Sequence, residues 1–249
     1  MPDESAPPED VATLADRVRK AYEQLDRAAG LIRTVHRAAV PDRLPDLPPL
    51  RFGAGRPPRP RGAVVDAWPA GPAAVTAFLA HAAGHGGAAE LIGLFVRQAV
   101  AVEDLRSAGA LPPGEVLARV NRLLLGLGLP DPPFVSMAVA RIDRGTGRVT
   151  VARAAVPPPV YLPAVGAPED WTTPGPMLGV FEAEFPSREG RLTPGDKLVL
   201  AGGGGNLASA ADRHRRLAAG PLADAVADEL AVADGVAVLA VEWADTPGG

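Results

Sequence analysis

Residues 134–156, FVSMAVARIDRGTGRVTVARAAV, decide how the chain is put together. Residues 134–143 alternate in strand fashion, 148–156 follow as a second apolar run, and Gly145-Thr146-Gly147 separates the two. That pattern predicts a two-stranded hairpin with one buried face. Working backward, Pro112 and Pro113 open a helix over 113–126, preceded by a helix over 88–107. Before these come two strand-like runs, GAVVDAW (62–68) and AAVTAFLA (73–80). Working forward, PPPVYLP (157–163) is extended and FEAEFPSREGRL (181–192) has the pattern of an exposed strand. KLVLA (197–201) predicts a buried strand after the turn Pro194-Gly195-Asp196. A helical segment over roughly 207–230 and a closing strand, GVAVLAVEW (235–243), complete the order. Strands at both ends with a helical pair between them predict an α+β fold, sheets covered by helices.

The 249 residues carry 25 Lys+Arg against 29 Asp+Glu, a net charge of −4, so charge gives no general reason to expect nucleic-acid binding. There is no cysteine, which excludes disulfides, zinc–thiolate centres and thiol nucleophiles. Residues 1–10, MPDESAPPED, read as a disordered leader and not as a signal peptide. The most apolar stretch, 87–102, contains Glu90 and Arg97 and is too short to span a bilayer, so a soluble, cytoplasmic chain is expected. From 11 to 40 a heptad runs through Val11, Val18, Leu25 and Ile32, with Leu14, Ala21, Ala28 and Val35 three residues after each. It predicts a long helix ended by Pro41, either packed on its own domain or pairing two copies as a homodimer. Residues 41–61 form a Pro-rich, Arg-bearing connector, read as an extended linker or edge segment.

Few residues announce chemistry. His81 and His85 are four apart, but the stretch lacks a zincin glutamate and holds Gly84, and the other histidines are only His36 and His214. Gly203–Ala208 satisfies G-x-G-x-x-A after a strand, with Asp224 or Asp228 as the acidic partner, a weak dinucleotide fingerprint. No Gly-Lys-Ser/Thr phosphate loop and no G-x-S-x-G elbow occur. Among carboxylates, Asp66 ends a strand-like run and Asp234 precedes the last strand.

The order of segments resembles the metal-dependent Ser/Thr phosphatases of the PPM class in their SpoIIE-type branch. RGAVVDAW (61–68) falls where that branch has G-G-D-x-x-D, and AHAAGHGGAA (80–89) where it has G-D-V-S-G-H-G. The hairpin continues into AAVPPPVYL, similar to A-G-H-P-P-P, and GPMLGVFEAEF resembles the P-L-G element. LVLAGGGG resembles the strand before T-D-G, and DGVAVLAVEW resembles D-D-x-T-L-L-V. The resemblance implies a β-sandwich flanked by helices over 41–245, preceded by the N-terminal helix.

It also implies aspartates that hold two Mn²⁺ or Mg²⁺ ions and an attacking water. At those positions stand Ala63, His81 and Gly203, and the His of A-G-H is Val156. Only Asp234 matches a ligand position, while Asp66 matches the second Asp of G-G-D-x-x-D, which is not a direct ligand. One acid in four does not hold a dinuclear hard-cation site. The expectation is therefore a pseudophosphatase with no catalytic residue, no required cofactor, and Asp234 and Asp66 as vestigial metal positions. The partners implied by the family are anti-sigma-factor antagonists and their kinases. Two alternatives stay open: residual Mn²⁺- or Mg²⁺-dependent phosphatase activity, and nucleotide or anion binding by the glycine-rich loop 202–205.

Overall fold

Alternating side chains sort each strand of the chain into one face toward a second sheet and one face toward helices. A computed structural model describes residues 11–41, 43–56, 62–84, 87–129, 133–230 and 236–244. The leader, His85 and Asp234 lie outside the described residues, as do the side chains of Val11, Leu14, Val18, Ala21 and Leu25.

The elements in chain order are α1 (Val11–Ala39), β1 (Leu50–Gly55), β2 (Ala63–Pro69), β3 (Ala74–Ala82), α2 (Gly87–Ser107), α3 (Pro113–Leu125), β4 (Val135–Asp143) and β5 (Arg148–Ala154). There follow β6 (Val160–Leu162), β7 (Glu169–Asp170), β8 (Arg188–Arg191), β9 (Lys197–Ala201), α4 (Leu207–Arg213), α5 (Ala219–Leu230) and β10 (Val238–Trp243). They build two five-stranded sheets, ordered β1-β10-β9-β6-β7 and β2-β3-β4-β5-β8. All described pairings are antiparallel.

The two sheets face each other through Val65, Leu79, Ala138, Val151, Leu198, Leu200 and Leu239. On the outer face of the β2–β8 sheet, Val64, Phe78, Met137 and Val139 pack under α2 and α3 through Val96, Val100, Leu117 and Val120. On the outer face of the other sheet, Val199, Val238 and Ala240 pack under α4 and α5 through Leu207, Leu222 and Val226. The α+β sandwich flanked by helices is thus the fold of the chain. Small side chains set the layer spacing: an ideal Cβ on Gly53 of β1 would lie 1.9 Å from the Ala219 carbonyl oxygen of α5.

The hairpin forms as its turn chemistry dictates. Asp143 Oδ1 accepts from the Gly145 and Thr146 N–H groups at 3.0 and 2.7 Å, and Gly147 takes φ +72°. Two segments differ from the sequence reading. Only Arg188–Arg191 of 181–192 is strand, because Phe185 turns into the core under α3 and the Gly114 N–H donates to Ser187 Oγ at 3.1 Å. The helical segment 207–230 breaks at 214–218, and α5 restarts with Pro221 in its first turn. Glu229 then joins α4 to α5, accepting from Arg213 and standing 3.0 Å from His214 Nε2.

Over its described side chains α1 divides. Ile32 sits against Gly87 at the start of α2 and His36 is buried, whereas Ala28 and Val35 of the same heptad face outward. Burial, with the nearby Arg56 guanidinium, holds the His36 imidazole below its ordinary pKa. Among the described residues no helix is long and apolar enough to cross a membrane.

Candidate functional site

Strand parity gathers one set of side chains at one end of the sandwich. Ala63 of β2 pairs with His81 of β3, and His81 pairs with Ser136 of β4. All three share the parity of inward-facing Val65, Leu79 and Ala138, so they form a row on the face that meets the other sheet. Arg153 of β5 pairs with Ala138, shares the parity of Val149 and Val151, and lies diagonal to Ser136. From the opposite sheet, an ideal Cβ on Gly202 would lie 3.9 Å from His81 Cβ, and one on Gly203 would lie 2.7 Å from Val236 Cγ2. The strand ends therefore converge: Ala63 pairs with His81, Gly202 faces His81, and Gly203 follows one residue further along.

Their chemistry does not suit a pair of hard cations. Alanine and glycine offer no side-chain oxygen, and an imidazole is a poor partner for Mg²⁺. Among the described residues no three His, Asp or Glu side chains gather in a metal-holding group. Asp66, three residues after Ala63, points to the opposite face of β2, under α2. It bonds Arg97 Nε and Nη2 at 2.8 and 2.7 Å and accepts the Ala67 N–H at 2.8 Å. Burial raises its carboxyl above the ordinary value despite the opposing pull of Arg97. Arg97 in turn lies 5.9 Å over the Trp68 ring, so Asp66 is a strut between β2 and α2.

The other candidates scatter. His36, on α1, is buried, and His214 stands beside Glu229 on the α4–α5 face. The glycine-rich loop leads into α4, where Asn206 Oδ1 caps the Ser209 N–H at 2.9 Å. Its strand β9 has only antiparallel neighbours, so the parallel βαβ frame of a dinucleotide fold is lacking around it. Asp224 and Asp228 lie on α5.

Two features escaped the sequence reading. One is Arg153, whose inward parity was legible only once the hairpin register was known. The other is an exposed apolar rim beside the row. Phe134 precedes β4, its carbonyl accepting from Ala83 at the end of β3 at 2.7 Å. Around it, Leu123 in α3, Leu129 after it, and Met177, Val180 and Phe181 of the β7–β8 loop are exposed, Phe181 by 54%. Asn121 of α3 holds that loop, accepting the Gly179 N–H at 2.7 Å and donating to the Phe181 carbonyl at 2.8 Å.

Ala155 takes φ +53° where the A-G-H motif has glycine. Ala155→Gly should raise stability by about 0.5–1 kcal/mol, the left-handed strain outweighing the added freedom of the unfolded chain. Urea unfolding checks this, and an unchanged or lower midpoint would refute it.

Comparison with known proteins fits this geometry. The family model of Stage II sporulation protein E (SpoIIE) matches residues 71–243. The structure is similar to the RsbU and RsbW domains of Rv1364c from Mycobacterium tuberculosis, with TM-score 0.65 at 21% identity over 82% of this chain and 64% of that one. It is similar to the SiaA-PP2C domain of Pseudomonas aeruginosa, with TM-score 0.66 at 17% identity over 92% and 99%. It also matches the PP2C phosphatase domain and regulatory fragment of SpoIIE from Bacillus subtilis, with TM-score 0.64 at 14% identity over 80% and 63%. The chain thus spans less than two thirds of the first and third of these. No curated protein matches it by sequence. With two thirds of its length matched by one family model and the PP2C sandwich built around the converging strand ends, the chain belongs to the SpoIIE family.

Proposed function

We propose that this SpoIIE-family domain is catalytically impaired and acts by binding a protein, in signalling of the partner-switching kind. The observation that carries the reading is the row Ala63–His81 with Gly202 opposite and Gly203 next to it, where a phosphatase of this class places carboxylates. A dinuclear site needs several anionic oxygens to offset two dications, and these side chains supply none. Loss of the acids also removes like-charge repulsion between strand ends, so the fold tolerates it. The exposed rim around Phe134 and Phe181 supports a protein as the bound partner, because apolar patches beside a site mark contact surfaces. An anti-sigma-factor antagonist, or the kinase that modifies it, is the partner class that the family resemblance favours.

The test is hydrolysis of p-nitrophenyl phosphate in millimolar Mn²⁺ by the wild type and by Asp234→Asn. No turnover above buffer is expected from either protein. Mn²⁺-dependent turnover that disappears in Asp234→Asn would show a working reduced metal site and overturn the reading.

A further inference from the structure

Among the described residues Arg153 is a cation without a counter-ion at the end of the sandwich. Its neighbours on β5 and β4 with the same parity, Val149, Val151 and Ala138, are core residues. The guanidinium is partly buried, Nη1 donates to the Val156 carbonyl at 2.6 Å, and buried Nε has no partner. Among the described residues no carboxylate lies within ion-pair distance of it. Two other part-buried arginines, on the helix side of the β2–β8 sheet, have acidic partners: Arg97 has Asp66, and Arg141 has Asp104. An arginine taken partly out of water normally requires such a partner.

Two further polar side chains flank it on the same face. Ser136 lies diagonal to Arg153 across β4–β5, and His81 lies directly opposite Ser136 on β3. Directly opposed residues stand about 5 Å apart and diagonal ones about 7–8 Å apart, so the three side chains reach a common point. The facing loop is glycine, and an ideal Cβ on Gly204 would meet nothing within 4 Å, which leaves an approach from solvent.

We propose that this end of the sandwich is a metal-free oxyanion site that takes a phosphate monoester or inorganic phosphate, with Arg153 as its cation and Ser136 as a hydroxyl donor. A guanidinium fork matches two oxygens of a tetrahedral anion and supplies the positive charge that a metal pair would otherwise provide. The inference rests on the reading that no metal pair is held here.

The full chain, stripped with EDTA, is titrated with inorganic phosphate and separately with O-phosphoserine, followed by ³¹P linewidth. Saturable binding in EDTA is expected, weakened at least tenfold in Arg153→Met and several-fold in Arg153→Lys and Ser136→Ala. The lysine variant keeps a charge and a donor, so it carries the test if Arg153→Met does not fold. Tighter binding of O-phosphoserine would assign the phosphate to a modified protein, and equal binding would assign it to free phosphate. Wild-type affinity in both arginine variants, or no saturable binding with or without Mn²⁺, would overturn the oxyanion site alone. Binding that appears only with Mn²⁺ would overturn the metal-free reading beneath it.

Discussion

Asp104→Ala is expected to lower stability by about 3–5 kcal/mol, the cost of leaving a buried charge without its partner. Asp104, on α2, is only 4% exposed. Its Oδ1 meets Arg141 Nη2 of β4 at 2.6 Å, and its Oδ2 accepts from Trp68 Nε1 of β2 at 3.0 Å and from Thr76 Oγ1 of β3. One carboxylate therefore joins the helix to three neighbouring strands. Alanine would strand the Arg141 guanidinium, whose side chain is 11% exposed, and would leave the buried Thr76 hydroxyl without its acceptor. Urea unfolding of the variant measures the loss. A change below about 1 kcal/mol would mean that the Asp104 network adds little to the docking of α2.

Gly53→Ala is expected to cost about 3 kcal/mol, at the upper end of ordinary overpacking. The added carbon would lie 1.9 Å from the Ala219 carbonyl oxygen and 2.2 Å from its carbonyl carbon. Backbone cannot turn aside as a flexible side chain does, so α5 must lift from β1. Leu222, Ala223 and Val226, buried beneath it, would lose contact with the sheet. Gly220→Ala is the control, since its Cβ would meet nothing within 4 Å, and its melting temperature should stay at or slightly above the wild-type value. Equal melting temperatures for both variants would contradict the close approach of helix and sheet.

Much of this architecture was legible because it is local. The hairpin of Val135–Asp143 and Arg148–Ala154 follows from alternation and a turn whose bonds come from Asp143 and Thr146, a few residues apart. The helix at Pro113 and the buried strand Lys197–Ala201 follow from equally local signals. What failed depended on distant partners. The segment 181–187 alternates like a strand, yet Asn121 and Gly114, some 60 to 70 residues earlier, hold it as a loop. That Ala63 and Gly203 carry no acid is plain in the sequence, and strand parity explains why Asp66 serves α2. Arg153 was not legible, since RVTVARA reads as one more polar alternation until the other sheet is placed over it. The Asp104 network likewise draws on residues 28 to 37 positions away.

The pairing of the two sheets fixes an order of assembly. In the β2–β8 sheet the neighbours follow one another along the chain, apart from the step to β8, so each strand docks on one already made. The other sheet places β1 beside β10, with Leu50 opposite Trp243, and β10 beside β9. Closing that pair encloses nearly all of the intervening chain, and non-local closure slows folding. On the ribosome, the sheet that carries His81, Ser136 and Arg153 can therefore form early. Its facing sheet waits for the last strand to emerge, and until then Val65, Leu79 and Val151 remain uncovered for a chaperone to hold.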